Sequence, residues 1–120
     1  MQLIGPHEGR EFELLERGEK NVALFYETFP PQVSDFIARA DFDSLEFNRR
    51  FDLAGVETAV PYVILYRNGF EDHARELLQL INRDAAGFDP AIERRVGEIL
   101  GYPQPAIEHY IANLPSRSFI

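Results

Sequence analysis

Residues 60–81 limit what this chain can fold into more than any other stretch. Tyr62, Val63, Ile64, Leu65 and Tyr66 form an unbroken aromatic and aliphatic run. Such residues suit a pleated surface covered on both sides. A short apolar run is equally compatible with a buried helix segment, so the flanks decide. Pro61 fits the first residue of a strand, where a missing N–H costs little. Asn68 and Gly69 then supply residues that accept positive φ. Past that turn the period changes: Ala74, Leu77, Leu78 and Ile81 recur as one apolar stripe of a helix. Glu71 and Asp72 sit in its first turn and Arg83 in its last, each at the end the helix dipole favours. Neither element buries its apolar face alone, so the helix is expected to fold back onto the strand.

The remaining segments arrange themselves around this unit. Residues 8–17 form a short helix with Phe12, Leu14 and Leu15 inward and Gly18 as its cap. Residues 21–26 read as a second inner strand. A helix follows from Pro31, with Val33, Phe36, Ile37 and Ala40 as its stripe. Residues 44–53 alternate: Leu45, Phe47, Phe51 and Leu53 share a face that only Arg49 interrupts, the signature of a half-buried strand. Residues 54–59 are read as a linker, short enough to require an antiparallel neighbour. Asp89 and Pro90 open a helix as N-cap and first residue, with Ile92, Val96, Ile99 and Leu100 inward. Gly101 caps it and Pro103 blocks its continuation. Pro105 opens a last helix carrying Ile107, Tyr110, Ile111 and Leu114. Residues 1–7 and 116–120 are read as irregular ends. The order is α-β-α-β-β-α-α-α: an α+β fold, one small sheet of about three strands flanked by helices, with a helical C-terminal half. The 120 residues are expected to form a single domain with a radius of gyration of about 14 Å.

Composition narrows the function classes. The chain carries 20 acidic and 12 basic residues, for a net charge of −8. Phosphate-backbone binding needs clustered cations, and no basic run exceeds the pairs Arg49-Arg50 and Arg94-Arg95. Nucleic acid is therefore not the expected partner. An acidic surface suits a basic partner instead. Eleven of the twelve bases are Arg and only Lys20 is Lys, the codon bias expected of a GC-rich genome. With no cysteine, disulfides, thiolate metal sites and Cys nucleophiles are excluded. No apolar run reaches the ~20 residues of a membrane span, and residues 1–7 lack the pattern of a signal peptide. A soluble, cytoplasmic protein without membrane attachment is expected.

No catalytic or metal constellation emerges. His7, His73 and His109 form no paired-histidine motif. His73 and Glu76 lie three apart on one helix, but two ligands fall short of a metal's usual set. Glu108 and His109 are adjacent and point apart. The acids concentrated in residues 8–19, 35–52 and 71–76 read as solvated, since charged side chains are seldom buried unpaired. None of Ser34, Ser44, Ser116 and Ser118 sits in a nucleophile elbow, and no phosphate-binding glycine loop is present. The turn at Arg67, Asn68 and Gly69 precedes a helix N-terminus and offers free N–H groups, against which Glu71 and Asp72 repel an anion.

Two partial resemblances exist. Leu100, Gly101, Tyr102 and Pro103, behind the segment Tyr66, Arg67, Asn68, Gly69, resemble a family of uncharacterised archaeal and bacterial proteins. That family carries Leu-Gly-Tyr-Pro followed by a cysteine pair. Pro105 and Ala106 stand where the cysteines would be, which implies that any metal or redox role of that pair is absent here. The strand of Pro61 to Tyr66, behind the strand of Val22 to Tyr26, resembles the pattern of thioredoxin-like folds. That likeness implies a cis Pro61 on a redox-dead scaffold, as the Cys-x-x-Cys is missing.

The function expected from these readings is protein–protein interaction or regulation through an acidic or aromatic surface, with no cofactor and no metal. The alternative is a small enzyme or ligand-binding domain. Its pocket would lie near Arg67 and His73 and near Tyr102 and His109, with Glu76 on its wall.

Overall fold

The computed structural model describes residues 9–82 and 89–113, and the side chains of Phe51, Leu53 and Asn113 lie outside that description. Elements follow in the order α1 (Glu11–Glu16), β1 (Val22–Tyr26), α2 (Gln32–Ile37), β2 (Phe42–Leu53), β3 (Val56–Arg67), α3 (Glu71–Ile81), α4 (Pro90–Ile99) and α5 (Gln104–Asn113). The fold is α+β, and the order of elements is the one expected. The three strands form one sheet in the order β1-β3-β2, and β3 runs antiparallel to both neighbours.

Strand β3 divides the core by its alternation. Tyr62, Ile64 and Tyr66 face α3 and α4, where Val22, Ala74, Leu77, Ile81, Val96 and Ile99 complete a buried cluster. Leu65 faces the other way, toward Leu15 of α1, Ala23 of β1 and Phe36 of α2. The five-residue run is buried throughout because helices cover both faces of the sheet. This gives three layers, α1 and α2, then the sheet, then α3 and α4, with α5 packed on α4. The radius of gyration is 14.3 Å.

The hairpin is longer than the sequence suggests. Residues 54–59, read as a linker, supply only a two-residue turn, and Val56 already belongs to β3. Ala54 and Gly55 both have positive φ, 54° and 83°, the geometry of a turn whose twist matches the flanking strands. Val56, Glu57 and Ala59 are all exposed. No apolar face existed there for a periodicity argument to find.

Pro61 consequently lies inside β3, not at its start. Its position has a physical reason. The amide of Arg67 donates to the Asn21 carbonyl and that of Glu27 to the Pro61 carbonyl. In an antiparallel ladder the partners that exchange hydrogen bonds recur every second residue, so odd-numbered residues of β3 face β1. Pro61 has no N–H to return to Glu27. Strand β1 ends there, and Glu27 turns off at φ 70°. The peptide bond before Pro61 is trans, so the cis proline of the thioredoxin likeness is not found.

Smaller differences concern helix ends and stripes. Helix α2 stops at Ile37, which leaves Ala40 exposed outside it. Ile92 is only half-buried. Asp89 caps α4 as expected, accepting from the amides of Ala91 at 3.0 Å and Ile92 at 3.4 Å. Arg49, the misfit on the apolar face of β2, is half-buried and pulls the Tyr62 hydroxyl pKa down against the larger upward push of burial. Arg83, Leu114, His7 and both chain ends lie outside the described residues.

Candidate functional site

Two surfaces hold chemistry: a cleft beside Lys20 and a groove along β1. The cleft has a volume of about 160 Å³ and lies between the approach to β1, the start of α3 and the end of α4. Lys20, His73, Arg95 and Glu98 form its polar walls, with Gly101 at the end of α4. Lys20 is the surprise. It is the single lysine of the chain and is only 2% exposed. Its Nζ donates to the Leu100 carbonyl and lies 5.2 Å from the centre of the Tyr102 ring. The carbonyl belongs to the C-cap of α4, where a helix leaves acceptors without an intrahelical donor. Burial strips water from the ammonium and brings its pKa down to about 7, against a weaker upward pull from Glu11.

Of the residues singled out from sequence, the structure brings His73 and Tyr102 to this neighbourhood. His73 lines the cleft and packs tilted against Phe70, ring centres 5.7 Å apart. Glu76 does not pair with His73. Both its oxygens accept from Arg95, at 2.7 Å each, and that contact holds its carboxyl below the usual range. Arg67 is turned to the opposite side of the sheet. Its guanidinium donates to Asn21 Oδ1 at 3.1 Å and to the Leu15 carbonyl, over the face of Phe42. It ties β3 to α1. His109 is exposed on α5 and is absent from the cleft wall. Arg67 and His109 therefore do not share a pocket with His73.

The groove is larger, about 430 Å³, and is lined by Glu11, Phe12, Leu24, Phe25, Tyr26 and Pro30 among others. Its floor is the outer edge of β1. Among the described residues β1 pairs only with β3, so it is an edge strand and not the inner strand the sequence suggests. Since Asn21 and Glu27 bond to β3, the ladder turns the backbone groups of Val22, Leu24 and Tyr26 outward. The Tyr26 carbonyl already accepts from the Thr28 amide at 3.0 Å. The ring of Phe12 stacks on Phe25 at 5.2 Å and forms one wall.

The two sheet edges differ sharply. Strand β2 carries Asp43, Glu46, Arg49, Arg50 and Asp52 along its length, the kind of charge that discourages edge pairing. Strand β1 reads Val-Ala-Leu-Phe-Tyr and carries no charge and no proline.

Two buried charged residues escape sequence reasoning. Lys20 was legible only as a rarity, one lysine against eleven arginines. Glu93, 1% exposed on α4, lies outside the acidic stretches read as solvated, and nothing in its spacing marks it. Among the described residues no group of three His, Asp or Glu side chains could hold a metal, and no helix is long and apolar enough to cross a membrane. Comparison with known proteins gives no match among family models, curated proteins or solved structures.

Proposed function

We propose that this protein is an interaction module that captures an extended, basic segment of another protein as an added strand beside β1. The single observation that carries this reading is the outward-facing ladder of Val22, Leu24 and Tyr26 on an uncharged edge beside a 430 Å³ groove. In such recognition, main-chain hydrogen bonds supply affinity and side-chain pockets supply specificity. The wall formed by Phe12, Phe25 and Pro30 suits apolar side chains at alternate positions of the guest. Glu11 in the groove and the net charge of −8 favour Lys or Arg at the positions between.

The test is fluorescence polarisation with labelled peptides of alternating apolar and basic residues, beside acidic and proline-interrupted controls. The reading expects micromolar binding that weakens as salt screens the charges. It also expects that N-methylation of Leu24, introduced by ligation, removes binding without unfolding the chain. Equal affinity for basic and acidic peptides, or binding indifferent to that methyl group, contradicts it.

A further inference from the structure

The cleft beside Lys20 supports chemistry that the β1 edge does not use. We infer that this cleft is a binding site for a small neutral aldehyde, which condenses with the Lys20 amine to form an imine.

The geometry comes first. A lysine that is 2% exposed forms part of a cleft wall. At about 160 Å³, well above the ~10–15 Å³ a cavity needs to hold one water, the cleft has room for a compound of a few carbon atoms. The walls argue against an anion. Arg95 is already committed to Glu76 through two bonds of 2.7 Å and to Glu98 at 3.5 Å. Glu19 and Glu98 on the lining are themselves paired, with Arg17 at 2.7 Å and with Arg95. A 2-oxo acid would therefore meet carboxylates with no cation left to receive it. A neutral carbonyl compound meets the amine without that repulsion.

The amine is suited to the step. With its pKa near 7, a large share of Lys20 is neutral at neutral pH, whereas an ordinary lysine at about 10.4 is almost wholly protonated. Only the neutral amine is nucleophilic, and desolvation is a recognised way to produce it. A neutral amine has two N–H groups and a lone pair. One N–H serves the Leu100 carbonyl, and the lone pair of the neutral amine is the nucleophile. That pair adds to the carbonyl carbon while the C=O π electrons move to oxygen, and one proton passes from the nitrogen to that oxygen. The resulting carbinolamine loses water, and the nitrogen gives up its proton as the C=N bond forms. Water is the sole by-product, and no oxidant or reductant takes part. His73, on the same wall, is assigned the proton transfer, since Glu19 and Glu98 beside it are engaged by Arg17 at 2.7 Å and Arg95 at 3.5 Å.

The test exploits the single lysine. The protein is incubated at pH 7 with propanal and cyanoborohydride, which traps imines, and sites are mapped by mass spectrometry. The α-amine is the internal reference. The inference expects Lys20 to be labelled at least as fast as the α-amine while circular dichroism shows a native fold. It expects glyoxylate and a bulky aromatic aldehyde to label Lys20 at least tenfold more slowly than propanal. In Lys20→Arg only the α-amine should react. His73→Ala should slow labelling of Lys20 and leave the α-amine unchanged. Labelling confined to the α-amine of the folded protein overturns the inference. So does labelling of Lys20 that shows no size or charge preference, since that marks local unfolding. Neither outcome touches the β1 edge, so the two proposals fail separately.

Discussion

Lys20 donates to the backbone carbonyl of Leu100, eighty positions away in the chain. The contact ties the segment ahead of β1 to the end of α4, and it places a titratable group where water is excluded. Because burial lowers its folded pKa to about 7, the unfolded chain holds this proton more tightly. Stability rises with pH wherever the unfolded state binds more protons. Unfolding free energy should therefore climb from about pH 7 toward the ordinary lysine value of about 10.4. Tyr62 and Tyr66 oppose this at the alkaline end. Burial pushes both hydroxyls up, so their contribution is whole below the unfolded tyrosine value of about 10 and is lost as pH rises from there through the raised folded value. Urea midpoints should peak between about pH 9 and pH 10, and Lys20→Met should flatten the climb. A wild-type midpoint that does not change across that window contradicts the buried placement.

This contact also marks where sequence reasoning stops. The strand–turn–helix unit was readable because apolar run, turn residues and helical period all sit within residues 60–81. The burial of Lys20 depends on Leu100 and Tyr102, and no local pattern records a partner so distant. The extent of the hairpin was hidden for a different reason. Val56, 63% exposed, and Glu57 and Ala59 beside it carry no buried face. Pairing with β2 makes that stretch a strand, and pairing is a tertiary fact. Candidate site residues fared by the same rule. His73 and Tyr102 converge because α3 and α4 lie on one face of the sheet. Arg67 departs because an odd position on β3 points to the other.

The hairpin turn offers a gain in stability. Ala54 holds φ 54°, a conformation that costs a residue with a Cβ roughly 1–2 kcal/mol and that Asn tolerates better. Asn followed by Gly is also the preferred pair for this turn. Ala54→Asn should raise the unfolding free energy by about 1 kcal/mol, read from thermal melts. A loss of stability would show that the turn is not of this type.

Ion pairs join the C-terminal helices at the surface. Arg95 grips Glu76 of α3, and Arg94 grips Glu108 of α5 with both nitrogens, at 2.8 and 2.9 Å. Hydrogen bonds from Arg94 hold the Glu108 carboxyl down at about 2, and Arg95 lowers Glu76. For a depressed carboxyl the stabilising contribution is present above the unfolded value, about 4.3, and is lost as pH falls through the folded one. Acid should therefore loosen α4 from its neighbours between about pH 4 and pH 2. At neutral pH a double-mutant cycle on Arg95 and Glu76 should return a few tenths to about 1 kcal/mol, as partly exposed pairs do. A coupling near zero would mean that apolar packing alone holds α3 to α4.

The open edge of β1 is the claim on which the proposed function stands, and amide hydrogen exchange at single residues reads it directly. In the free protein the amides of Ala23 and Phe25, bonded to β3, should exchange slowly. Those of Val22 and Leu24 should exchange at least a hundredfold faster. Adding a saturating extended basic peptide should slow Val22 and Leu24 and leave Ala23 and Phe25 unchanged. Val22 and Leu24 amides that are already protected in the free protein, or that stay fast with peptide bound, contradict it.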